Sequence, residues 1–172
     1  MSSAAAAKTR PYGDLQATIS LANCYCLNED PQHPFRNLFC GDETLQLQSD
    51  ADEQLMLYIE FQDPVKLFSL NLVAPPSDQA PRVIKLFVNR ANLSFSDGAD
   101  VEPMQTIELE AKDLVPENDV ELRFVKFQCV KNITLFVETN NGADETVISS
   151  LKFFGEPLAG TNMNDLKKIS DE

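Results

Sequence analysis

Leu122-Arg123-Phe124-Val125-Lys126-Phe127-Gln128-Cys129-Val130 runs through Lys131 and Asn132 into Ile133-Thr134-Leu135-Phe136-Val137-Glu138. Two runs of β-branched and aromatic residues thus lie back to back, in a chain with no Trp and one His. Such side chains fit a pleated, half-buried surface, so the pattern predicts strands over 121–128 and 132–138 that bury one sheet face. Lys126 falls between Phe124 and Gln128 on one side of the first strand. A long amine there is expected to snorkel past the sheet rim rather than to act as a catalyst.

The same periodicity extends in both directions. Leu45 and Leu47 alternate with polar residues over 44–48. Leu55, Leu57, Ile59 and Phe61 share one face of 54–61, with Met56, Tyr58 and Glu60 on the other. Gln62-Asp63-Pro64 reads as a turn. Residues 65–74 are apolar on both faces, the mark of a buried central strand. Ile84, Leu86 and Val88 step along 82–89, and alternation returns over 104–110 and 146–154. Asp97-Gly98 and Asn140-Asn141-Gly142 read as turns, and Gly155-Glu156-Pro157 as a stop. Residues 12–22 suggest a short N-terminal helix with Leu15, Ile19 and Ala22 on one face. About eight strands without βαβ alternation imply an all-β fold, an antiparallel jelly-roll β-sandwich. Residues 1–11 are expected to be a lead, 12–158 the domain and 159–172 a polar tail.

The chain has 172 residues, 27 Asp plus Glu against 14 Lys plus Arg, and a formal net charge of -13. A field of that sign repels phosphate backbones and anionic lipid, so nucleic acid and membrane surfaces are poor partners and a basic protein surface a better one. No stretch approaches the roughly 20 apolar residues that span a bilayer. Met1 to Arg10 contain no apolar core of signal-peptide length, so cytoplasmic and nuclear residence and reduced thiols at Cys24, Cys26, Cys40 and Cys129 are expected. The sequons at Asn92 and Asn132 are then accidental.

With the strands placed, a wider pattern emerges. Leu27-Asn28-Glu29, His33-Pro34, Ser49-Asp50-Ala51-Asp52-Glu53-Gln54-Leu55, Val65-Lys66-Leu67, Val83-Ile84-Lys85-Leu86-Phe87, the two runs quoted first, Asn140, Glu145-Thr146 and Thr161-Asn162-Met163-Asn164-Asp165 follow in order. This set resembles the PITH domain, a proteasome-interacting module found at the C-terminus of thioredoxin-like proteins and in stand-alone proteins. The resemblance implies a galactose-binding-domain-like β-sandwich and binding to the regulatory particle of the 26S proteasome. It does not imply redox activity. Relatives with a thioredoxin domain carry Cys-x-x-Cys on a βαβ unit, and no Cys-x-x-Cys occurs here. The chain is expected to be a stand-alone PITH protein or the C-terminal half of a thioredoxin-like protein, and a monomer.

Local chemistry offers alternatives. Cys24 and Cys26 could form a redox pair, yet one intervening residue makes a strained ring and no Lys or Arg flanks them to hold a thiolate. That leaves a thiol-dependent oxidoreductase as a rival reading. Adding His33 and Cys40 gives four zinc-type ligands, but structural zinc favours a Cys-x2-4-Cys knuckle. Asp50, Asp52 and Glu53 concentrate carboxylates without the Gly and final Glu of a calcium loop, and read as a turn or an acidic contact face. Tyr58, Phe68 and Phe95 could stack on a sugar, which keeps a carbohydrate-binding module as a third reading. No catalytic residue, metal or cofactor is assigned. The expected partner-binding residues are Asp50, Asp52 and Glu53 on the domain and Asn162, Met163 and Asp165 in the tail.

Overall fold

The computed structural model describes residues 12–40, 42 and 44–158. Its organising element is β4, a single strand of 19 residues over Leu55–Val73; β1 to β3 precede it at Gly13–Asp14, Tyr25–Leu27 and Leu47–Gln48. The first half of β4 lies between β2 and β8 (Val130–Asn140). Beyond β8 come β5 (Pro81–Val88) and β6 (Gln105–Glu108). The second half of β4 lies between β7 (Val120–Glu121) and β10 (Ser150–Pro157), with β1 outside β10. A separate pair joins β3 to β9 (Val147–Ile148). Every pairing is antiparallel. One strand therefore serves both layers of a sandwich and changes partners midway.

The change falls at Gln62-Asp63-Pro64, where a turn is expected from sequence. The ladder to β8 breaks register between Glu60 and Val65, but the chain stays extended. Proline is tolerated at such an irregularity because no ladder hydrogen bond is asked of it. Its carbonyl instead accepts from the Leu158 N–H at 2.8 Å.

Leu55, Leu57 and Ile59 pack with Ile133, Leu135 and Val137 in the main core, joined by Leu70, Leu72, Leu151 and Phe153. Phe61 meets Phe153 edge to face, centroids 6.0 Å apart. The alternate face of β4, β8 and β5 is buried too: Met56, Phe87 and Phe136 form a second cluster with Leu93. Its cover is α1 (Phe95–Asp100), in a segment expected to be a loop. Asp97-Gly98 sits inside this helix because Ser94 and Asp97 form a capping box: Ser94 Oγ accepts from Asp97 N, and Asp97 Oδ2 accepts from Ser94 N at 2.9 Å.

Three further expectations change. The strand over 121–128 is realised only at Val120–Glu121; Phe124–Lys126 is a 3₁₀ turn. Leu122 N donates to Phe68 O at 3.0 Å and Leu67 N to Phe127 O at 2.9 Å. Leu122 and Phe127 are buried, and the residues between them loop outward, so Lys126 is exposed instead of snorkelling at a sheet rim. The helix over 12–22 resolves into two 3₁₀ turns, Gln16–Thr18 and Leu21–Asn23. Leu15 and Ile19 are buried as expected, whereas Ala22 is exposed. Finally, β10 continues through Gly155-Glu156-Pro157, the segment expected to stop it.

Candidate functional site

The acidic turn over 49–54 is shaped from below by side chains distant in sequence. Asn28 adopts φ 70°, a left-handed conformation that Asn tolerates better than most residues. From there its Nδ2 donates to Asp52 Oδ1 at 2.9 Å and to Gln54 O at 2.7 Å, and its Oδ1 accepts from Ala51 N at 3.0 Å. Asp52 Oδ1 also accepts from Gln54 N at 3.0 Å. On the other flank, Thr146 N donates to Ser49 Oγ at 2.8 Å and Thr146 Oγ1 donates to Glu53 O at 2.6 Å. Asn140 Nδ2 donates to Thr146 Oγ1 at 3.1 Å and Glu145 O at 2.9 Å. Ser49 and Thr146 are buried, so these bonds work where water does not compete.

The turn presents Asp50 and Asp52 to solvent, with Glu53 half-buried. Asp52 shapes the loop. Asp50 and Glu53 carry carboxylates with no hydrogen bond or ion pair to a described side chain. The tail residues Asn162, Met163 and Asp165 lie outside the described residues. Asn28, Asn140 and Thr146, which hold the turn, are not among the residues singled out as functional, although each belongs to the pattern that carries the family resemblance.

The thiols are placed for packing. Cys24 donates to Ser20 O at 3.3 Å and accepts from Glu60 N at 3.3 Å. Burial pushes its pKa up despite the Glu60 N–H. Burial raises Cys26 strongly, with Glu29 adding to the effect. Both shifts oppose the thiolate that a redox nucleophile requires. Cys40 and Cys129 are exposed free thiols. His33 Nδ1 lies 3.0 Å from Asp30 Oδ2, and no group of three or more His, Cys, Asp or Glu able to hold a metal occurs among the described residues. Asp30 is held below the usual carboxylate range by the Gln32 N–H and then by His33.

The three candidate sugar-stacking rings are separated. Tyr58 is buried against Tyr25 at 4.8 Å and donates to Glu60 Oε1 at 2.8 Å. Phe95 packs on Phe136, and Phe68 on Tyr12 and Phe124. A cavity of about 440 Å³ opens between Pro75, Pro76, Leu114, Val115 and Asn141, but no aromatic ring lines it. No helix among the described residues is long and apolar enough to cross a membrane.

Comparison with known proteins agrees with this architecture. Solved structures of similar fold include the family 32 carbohydrate-binding module of Clostridium perfringens NanJ in complex with galactose. It has a TM-score of 0.62 at 11% identity, covering 82% of this chain and 97% of that one. The F5/8 type C domain of a Bacteroides fragilis protein also gives 0.62 at 11% identity, covering 87% and 100%. At such identity the likeness establishes the fold alone, a galactose-binding-like antiparallel sandwich. Sequence relatives are nearer. Thioredoxin-like protein 1 of Schizosaccharomyces pombe is 37% identical over 98% of this chain, which spans 60% of that protein's length. PITH domain-containing protein 1 of Homo sapiens is 31% identical over 84% of this chain and 70% of its own. The PITH domain profile matches residues 5–171. With Asn28, Ser49, Asp52, Asn140 and Thr146 of the pattern linked around one turn and the profile spanning nearly the whole sequence, this chain belongs to the PITH-domain family.

Proposed function

We propose that this protein is a non-catalytic adaptor that binds the regulatory particle of the 26S proteasome as a monomer in the cytoplasm and nucleus. The observation that carries the reading is the convergence of Asn28, Ser49, Asp52, Asn140 and Thr146 on the acidic turn. Residues of the family pattern are committed to presenting one loop. Asp50 and Glu53 make the acidic contact, Asp52 holds its shape, and Asn162, Met163 and Asp165 add tail contacts. Attraction of a chain with net charge -13 to a basic patch speeds encounter and fades with salt.

The test is capture of purified 26S particles by the full chain and by a chain ending at Pro157. Recovery by the full chain with loss on truncation supports the domain-plus-tail reading; equal recovery removes the tail from it. No recovery by either overturns proteasome binding. The oxidoreductase reading has a separate assay: insulin reduction that disappears in Cys26→Ser would displace the adaptor.

A further inference from the structure

β4 carries an extra residue opposite β10. Leu67 stands across from Gly155 and Ser69 across from Phe154, which leaves Phe68 without a partner in that ladder. A bulge re-aims a side chain, and here it turns Phe68 into a stack of three rings. Tyr12 stacks on Phe68 with centroids 3.6 Å apart and planes 4° from parallel; Phe124 does so at 4.6 Å and 10°. The main-chain bonds from Leu122 N to Phe68 O and from Leu67 N to Phe127 O fasten the intervening loop to the same bulge.

The loop is thus rigidly seated, yet its tip is apolar and open to solvent. Val125 is 76% exposed and Phe124 37%. Isolated exposed apolar residues need no explanation, but two adjacent ones on a braced turn do. Arg123 and Lys126 bracket them; both are exposed and neither forms an ion pair with a described residue. The tip therefore combines an apolar centre with a cationic rim, on a chain whose net charge is -13.

We propose that the turn from Arg123 to Lys126 is a docking surface for an extended acidic segment of a partner protein. The segment seats an apolar side chain on Phe124 and Val125 and sets carboxylates against Arg123 and Lys126. Charge complementarity selects this occupant, and the anionic remainder of the chain repels the same segment from other faces. The surface differs from the acidic turn at the head of β4, and it calls for a partner of the opposite sign. The inference does not rest on proteasome binding: a chain that captures no 26S particles yet binds acidic peptide refutes that reading and keeps this one.

Phage-displayed random dodecapeptides selected on the full chain provide the probe, with the enriched peptide synthesised and its affinity measured by fluorescence anisotropy. Enriched sequences should be net negative with an aromatic or aliphatic residue among the acids, and their binding should weaken as salt rises. Val125→Asp and the double variant Arg123→Glu, Lys126→Glu should each lower affinity about tenfold or more. Both change exposed side chains, so an unaltered melting temperature separates lost docking from lost fold. Asp144→Asn, a change at an exposed carboxylate on the loop after β8, should bind as the parent does. The proposal is overturned by failure to enrich any sequence, by enrichment of basic sequences, or by equal affinity of the variants. Sedimentation showing a dimer that these variants dissolve would also overturn it, because the occupant would then be a second copy.

Discussion

Gly155→Ala tests the sandwich at its tightest point. At the bulge in the β4–β10 ladder, a Cβ on Gly155 would stand 1.8 Å from the Lys66 carbonyl oxygen, 2.9 Å from Lys66 C and 3.2 Å from Leu67 Cα. All three are main-chain atoms, so no side chain can swing aside. The strands would have to part by roughly 1.5 Å to restore van der Waals separation. β4 cannot retreat freely, because Val65 is paired with Val130 and Leu67 N donates to Phe127 O at 2.9 Å. Overpacking costs about 1–3 kcal/mol, and each ladder bond lost adds about 1 kcal/mol. The expected destabilisation is therefore about 3–5 kcal/mol, or roughly 10 °C in a protein of this size. Urea unfolding followed by far-ultraviolet circular dichroism measures it. Gly13→Ala, whose Cβ meets nothing within 4 Å, is the matched control and should be neutral. A Gly155→Ala variant within about 1 kcal/mol of the parent would refute the close approach of β10 to β4 and the bulge that turns Phe68 outward.

Thr146→Val keeps the volume but removes the hydroxyl that donates to Glu53 O and accepts from Asn140 Nδ2. It should cost about 1–3 kcal/mol in urea unfolding, since Glu53 O loses a buried donor. Asp52→Ala should cost about 1 kcal/mol by freeing Asn28 Nδ2 and Gln54 N, whereas Asp50→Ala should stay within about 0.5 kcal/mol and weaken only partner capture. Thiol labelling at neutral pH should modify Cys40 and Cys129 quickly and Cys24 and Cys26 only on unfolding. Because Cys24, Cys26 and Tyr58 all have raised pKa values when folded, the unfolded chain releases their protons first. Their contribution to stability should hold below about pH 8.5 and fall as pH rises beyond it. Unfolding midpoints across pH 7–10 check the sign, and Cys26→Ala should flatten the slope.

How much of this was legible in the sequence depended on whether a residue's neighbours along the chain were also its neighbours in space. Alternation identified 54–61 and 132–138 because Leu55, Leu57 and Ile59 face Ile133, Leu135 and Val137 across a regular ladder. It failed at 121–128, whose buried residues Leu122 and Phe127 are five apart and fit no strand period. That spacing is imposed by Phe68 and Leu67, distant in sequence, which bind the loop at both ends. The helix α1 was hidden for a related reason: Asp97-Gly98 is a turn signal locally, and only the buried face of Met56 and Phe136 makes a glycine in a helix favourable there. At the acidic turn the carboxylates were evident, but their supports were not, because Asn28 and Thr146 reach it from segments far from it along the chain. Sequence pattern recorded that Asn28, Ser49, Asn140 and Thr146 belong together without showing why. The structure supplies the reason: Asn28 and Thr146 bond main-chain and side-chain groups of the turn, and Ser49 and Asn140 bond Thr146. The quoted segment divides in the same way, its second half forming scaffold and its first half a braced loop whose apolar tip is turned to solvent.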